Sequence, residues 1–200
     1  MRAQPLSRGS VSHARKSAIE PLDPVADASA DERLIPGIAA DGSLFPIDKM
    51  EAHRQGALHL AVSVFVMSGD ALLLQRRALC KYHCGGLWAN TCCSHPNWGE
   101  NPADGASRRL REELNLSVPL MACNIIEYAA DVTNGLREHE RVHVFRGEID
   151  SETVTMPNPA EVLSTRWASI SELKRDLHRQ PEIYAPWFRI YVARWDELGL

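Results

Sequence analysis

Residues 86–114 read GLWANTCCSHPNWGENPADGASRRLREEL, and this stretch sets a strand-length segment, a turn and a capped helix in one run. Trp88 to His95 has the length of a strand and is closed by the turn residues from Pro96 to Gly99. Beyond them Asn101 is a natural N-cap, Pro102 suits the first helical position and Asp104 complements the positive end of the helix dipole. Ala103, Ala106, Leu110 and Leu114 then form one apolar stripe at helical spacing, while Arg109 and Glu113 stand four apart on another face. A strand feeding an amphipathic helix predicts a sheet with helices packed on it.

The flanking chain agrees. Asp48 caps a short helix over Lys49 to Gln55 that stops at Gly56. His59 to Val66 alternates and is rich in Val and Phe, Ser68-Gly69-Asp70 turns, and Ala71 to Gln75 returns as its hairpin partner. Gly85-Gly86 reads as a flexible pair. Further strands are expected at Ile125 to Val132, Arg141 to Ile149 and Glu161 to Trp167, with helices at Ser171 to Leu177 and Pro186 to Leu198. No internal repeat occurs. The expectation is an α+β domain from residue 34 to 200, its mixed sheet covered by helices on both faces, behind an irregular, disordered arm over residues 1–33.

At 200 residues, 44% hydrophobic and 24% charged, the chain has an ordinary soluble composition and length for one domain. Its most apolar run, Leu58 to Met67, is interrupted by His59 and Ser63, far short of the ~20 residues of a membrane span. Residues 1–19 carry Arg2, Arg8, Arg15 and Lys16 and no acid, so the remainder holds 18 basic against 26 acidic residues, or -8. An acidic body argues against nucleic acid as a partner. Five cysteines, four crowded between Cys80 and Cys93, follow no secretory signal and read as reduced thiols in a cytoplasmic setting.

Three segments gather metal-competent or titratable groups: His53 with His59, Cys93 with His95, and Glu138 with Glu140. Residues two apart on a strand share a face, so the last two pairs would each point together. Three imidazoles with two carboxylates make a mixed nitrogen and oxygen set for Mn, Zn or Mg. Glu138-His-Glu140 reads equally as a solvated charged edge, and spacing alone leaves both readings open. Glu100, Arg108, Arg109, Glu112 and Glu113 likewise suit either a Mg ion facing a diphosphate or i,i+4 ion pairs. Lys49, Arg76, Arg77 and Lys81 could bind an anionic group, and Trp88 and Trp187 are aromatic filler or pocket wall.

The segments Gln75-Arg-Arg-Ala-Leu79, Gly86 to Pro96 and Glu138-His-Glu140 together resemble the metal-dependent (type I) isopentenyl-diphosphate isomerases, from about Leu34 to Trp195. That family belongs to the Nudix superfamily, whose box is GX5EX7REUXEEXGU; Glu100, Arg108, Leu110, Glu112, Glu113 and Leu116 fit it. Ser94, Arg109 and Asn115 depart from it. An arginine in place of the first glutamate of the core favours gripping a diphosphate over recruiting metals to hydrolyse it.

The resemblance implies a Nudix-type α/β/α sandwich that interconverts isopentenyl and dimethylallyl diphosphate, with Cys93 and Glu140 transferring protons and Tyr128 beside the glutamate. It implies His53, His59, His95, Glu138 and Glu140 as ligands of one divalent cation (Mn, Zn or Mg) and Glu113 as the holder of Mg against the diphosphate. Lys49, Arg77, Lys81 and Arg109 match diphosphate-contacting positions, and Trp187 the indole of the hydrophobic pocket. Cys92 should face away from the site, since only Cys93 keeps its spacing to His95. A monomer is expected.

Overall fold

The computed structural model describes residues 33–200, so the expected arm lies outside the described residues but for Arg33. Nine strands and four α-helices follow: β1 (Leu34–Ile38), β2 (Leu44–Asp48), α1 (Lys49–Gln55), β3 (His59–Ser68), β4 (Ala71–Arg77), β5 (Trp88–Ala89), β6 (Cys92–Ser94), α2 (Pro102–Leu114), β7 (Met121–Asp131), β8 (Arg137–Glu148), β9 (Val162–Ser169), α3 (Ile170–Arg179) and α4 (Pro186–Ala193).

Strand β3 is the spine. It runs parallel to β8 from His59↔Glu140 to Met67↔Glu148, and β8 continues antiparallel to β7. Its other side meets β1 at His59, β6 at Val62 to Val64 and β4 only at Met67 and Ser68. Alternate residues of β3 serve opposite layers. Ala61, Phe65 and Met67 pack with Leu173, Trp187, Phe188 and Tyr191 of α3 and α4, whereas Val62, Val64 and Val66 pack with Ala106, Leu110 and Leu114 of α2. The sheet is thus covered on both faces, as an α+β reading requires, and burying Leu110 and Leu114 contributes roughly 1.5–3 kcal/mol each.

Because β3 and β4 are bonded only at their hairpin end, the sheet opens into a wedge away from Gly69. The expected single strand from Trp88 to His95 is broken there: β5 pairs with β4, β6 with β3, and Asn90-Thr91 crosses between them. Side chains replace the missing ladder. Asn90 Nδ2 donates to Val64 O and Cys92 O, and Thr91 Oγ1 donates to Leu73 O while accepting from Val66 N.

Other boundaries also moved. β1 and β2 were not foreseen, β7 starts earlier, at Met121, and β8 extends toward the turn it shares with β7, which brings Glu138 and Glu140 onto β8 itself. The last helix stops at Ala193, short of the expected Leu198, because Arg194 leaves helical geometry (φ -109°, ψ 29°) and donates to Glu127 O on β7. Gly85 is not a hinge: a Cβ there would stand 2.7 Å from Leu79 O, so the close backbone approach itself requires glycine.

Candidate active site

At the mouth of the wedge one pocket takes side chains from both layers. Cys93, His95, Arg109, Glu113, Tyr128, Glu138, Glu140, Lys49, Arg77, Lys81 and Trp187 all line it, so the sequence-predicted groups converge. His53 and His59 stand directly behind, fully buried.

Local structure aims the imidazoles. Asp48 caps α1 by accepting from Met50 N and Glu51 N, and Gly56 ends it in the left-handed region (φ 62°), which puts His53 on the inner face. His53 Nδ1 lies 2.6 Å from Lys49 O and His59 Nδ1 2.7 Å from Ala57 O. A carbonyl accepts only, so each Nδ1 carries the proton and each Nε2 turns a lone pair inward. His59 Nε2 is 3.1 Å from His95 Nε2, which is 3.0 Å from Glu140 Oε1.

The donor atoms of His53, His59, His95 and Glu140 lie within 4.8 Å of one another. Burial pushes His53 down to about 4 and His95 well below the usual imidazole range, so both stay neutral with lone pairs available. Burial opposes charge on Glu140 too, yet the neighbouring His59 and His95 imidazoles hold it well below the ordinary carboxylate range. His53 Nε2 has no hydrogen-bond partner although buried. Three imidazoles with an ionised carboxylate and an orphaned nitrogen fit a divalent cation.

Glu138 stands beside these four. Its carboxylate is not within that group but stands 3.5 Å from His83 Nε2, in an adjoining set of His53, His83 and Glu138. Tyr128 links the two acids, its hydroxyl lying 2.8 Å from Glu138 Oε2 and 2.7 Å from Glu140 Oε2. Neither acid is a solvated edge, since both are buried.

Cys93 pairs with Ser63 across β6 and β3, and its Sγ lies 2.8 Å from Ser63 Oγ and donates to Asn90 Oδ1 at 3.0 Å. The two carbonyls that accept from Asn90 Nδ2 fix which end of the amide faces the thiol. Burial pushes Cys93 up to about 12, so it is a neutral thiol. Cys92 turns into the α2 layer, as its register demanded. All five cysteines are free.

The cations come from four places. Arg77 stacks its guanidinium 5.1 Å from the Trp187 ring, and Lys49 sits 5.1 Å over Tyr82. Lys81 pairs with Glu161, and Arg109 reaches Glu113 (2.8 Å), Glu112 (2.7 Å) and Glu161 (3.3 Å). The ion-pair reading of α2 is borne out by Arg108–Glu112 and Arg109–Glu113, and Glu113 is also buried, accepts from Gln75 and faces the pocket. Glu100 faces no ion site, because Arg108 and Asn97 N occupy its carboxylate.

Sequence reasoning missed Tyr82, His83, Ser63, Asn90 and Glu161. His83 was within reach, being a histidine two residues from Lys81; Glu161, eighty residues from Lys81, carried no local signal.

This architecture is similar to that of several solved proteins. A crystal structure of a Deinococcus radiodurans protein superposes with a TM-score of 0.66 at 14% identity, covering 80% of this chain and 98% of that one. The MutT protein of Methanosarcina mazei Go1 gives 0.55 at 19%, covering 70% and 93%. At these identities the likeness is one of fold. The NUDIX domain family model matches residues 57–189. Proteins named isopentenyl-diphosphate Delta-isomerase are much nearer in sequence: that of Cereibacter sphaeroides is 52% identical over 154 residues (76% of this chain, 87% of that protein), and that of Dinoroseobacter shibae 54% over 158 residues (78% and 90%). The Rhodobacter capsulatus protein of the same name is 48% identical over 164 residues (82% and 93%). The chain belongs to the NUDIX family, and within it to the isopentenyl-diphosphate Delta-isomerases.

Proposed function

We propose that this pocket interconverts isopentenyl diphosphate and dimethylallyl diphosphate, supplying isoprenoid precursors, with Cys93 and Glu140 as the two proton-transfer groups. The observation that carries it is that a neutral thiol and an ionised carboxylate line one pocket whose rim holds four cations. Moving the double bond requires one proton to be added to the terminal alkene carbon and another to be lost from the neighbouring methylene. One group must hold a proton and the other accept one, and the reverse reaction exchanges their roles.

Lys49, Arg77, Lys81 and Arg109 grip the diphosphate and so hold the five-carbon chain against the reacting pair. Trp187, whose indole walls the pocket, excludes water and faces the tertiary carbocation formed on protonation. Tyr128 orients Glu140 through its hydroxyl. When bound, a divalent cation (Mn, Zn or Mg) held by His53, His59, His95 and Glu140, with Glu138 alongside, supplies positive charge beside the acid, and Mg at Glu113 offsets the diphosphate's charge. Diphosphate hydrolysis is disfavoured because Arg109 engages both Glu112 and Glu113, the acids a hydrolase would use for its metals. We read the protein as a cytoplasmic monomer; no described helix is long and apolar enough to cross a membrane.

Proton NMR of isopentenyl diphosphate with the protein in deuterated buffer tests this. Conversion to the internal alkene with deuterium at the rearranged carbons is expected; release of monophosphate or phosphate without rearrangement would overturn it.

A further inference from the structure

Of the four pocket cations, Lys81 and Arg109 are tied to acids and Arg77 donates to His83 O, but the ammonium of Lys49 makes no ion pair or hydrogen bond among the described residues. Its partner is a ring. Lys49 Nζ stands 5.1 Å from the Tyr82 ring centroid and Lys81 Nζ 5.9 Å, so one aromatic residue serves two ammonium groups. Tyr82 lines the pocket and has no part in the chemistry above, and burial pushes its phenol up, so it stays neutral.

The residue is also held in place. Asn134 Nδ2 donates to Tyr82 O and Cys84 N to Thr133 Oγ1, which ties the loop between β4 and β5 to the β7–β8 turn on either side of His83. The imidazoles of His83 (4.3 Å, 80°) and His53 (5.7 Å, 86°) stand nearly perpendicular to the ring. An aromatic face attracts an ammonium through its quadrupole while leaving all three N–H donors free. A carboxylate in the same place would neutralise the charge and occupy those donors. With neither, Lys49 would meet the repulsion of Lys81 and Arg109 uncompensated.

We propose that Tyr82 is a positioning residue for diphosphate binding, its ring holding Lys49 and Lys81 toward the pocket with the Lys49 charge left unneutralised for the phosphate oxygens. This rests on the reading of the four cations as the diphosphate grip. The ring rather than the hydroxyl does it, because both lysines lie over the ring and the hydroxyl has no hydrogen-bond partner among the described residues.

The test is calorimetric titration of the full chain with inorganic pyrophosphate and Mg, beside KM and kcat for isopentenyl diphosphate. Tyr82→Leu, which removes the ring, should raise both Kd and KM about tenfold with kcat largely retained, whereas Tyr82→Phe should stay within about twofold of wild type. In a Lys49→Met background Tyr82→Leu should cost about threefold or less, since the ring then serves Lys81 alone. Ring fluorines added to the Tyr82→Phe variant drain the quadrupole with little change of shape, so Kd should rise with each fluorine whether or not the leucine variant folds. Wild-type Kd in Tyr82→Leu, equal losses in the phenylalanine and leucine variants, an undiminished loss in the Lys49→Met background, or indifference to fluorination would each overturn the role of the ring. Failure of wild type to bind pyrophosphate, or of Lys49→Met to weaken it, refutes the diphosphate grip itself, whereas a responsive Lys49→Met beside unresponsive Tyr82 variants refutes only the part given to Tyr82.

Discussion

Cys93 and Glu140 approach one pocket from opposite sides of the same strand: Cys93 is registered with Ser63 and Glu140 with His59, four residues apart on β3. At about 3.3 Å per residue that offset is roughly 13 Å along β3. The registers of β6 and β8 against β3 therefore set the reacting geometry.

Replacing either partner should remove catalysis and leave binding. Cys93→Ala and Glu140→Gln are expected to lower kcat by 10²–10⁴-fold, the usual contribution of a positioned acid or base, with little change in diphosphate affinity. Steady-state turnover and isothermal titration with substrate check this, and near-normal kcat for Cys93→Ala would remove the thiol from the mechanism.

Arg109→Gln should act on binding instead. The arginine faces the pocket through its contacts with Glu113 and Glu161, so losing a charge-assisted grip on the diphosphate should raise KM about tenfold with kcat largely retained. Unchanged KM would show that Arg109 serves the acids of α2 alone.

Lys49 gives a pH dependence. Burial, then the charges of Lys81 and Arg109, push it down to about 7, so the free protein loses this cation as pH rises through that value. A bound diphosphate favours the charged form. kcat/KM should therefore fall above pH ~7, and the limb should flatten in Lys49→Met, as a pH–rate profile would reveal.

Metal removal should destabilise as well as inactivate. A chelator strips the ion from His53, His59, His95 and Glu140, and if the ion normally stands at 100 times its Kd the loss is about 2.7 kcal/mol. Calorimetry with and without chelator should show a lower Tm, restored by Mn or Zn.

Glu100→Gln should affect the fold without touching turnover. Arg108 grips this carboxyl at 2.8 Å through two nitrogens and holds it below the usual carboxylate range. Its folded pKa being depressed, the stabilisation is present above the ordinary carboxylate pKa and fades as pH falls toward the folded value. The pair is partly solvated, so a cost of about 1 kcal/mol is expected at pH 7, shrinking in acid, while kcat stays near wild type. Denaturant titrations at both pH values measure it.

What the sequence determined by itself was whatever is encoded within a few turns of chain. The N-cap at Asn101, Pro102 and the Leu110–Leu114 stripe define α2; Asp48 and Gly56 bracket α1; Gly69 closes the hairpin; and spacing alone turned Cys93 inward and Cys92 outward. Each rests on local dihedral preference or periodicity. Only the tertiary structure decided the parallel pairing of β3 with β8, which sets Glu140 beside His59 across eighty-one residues, the break at Asn90-Thr91, and the arrival of His83 and Glu161 in the pocket. Those outcomes follow from which apolar faces bury one another across the whole chain, and no short window of sequence holds that information.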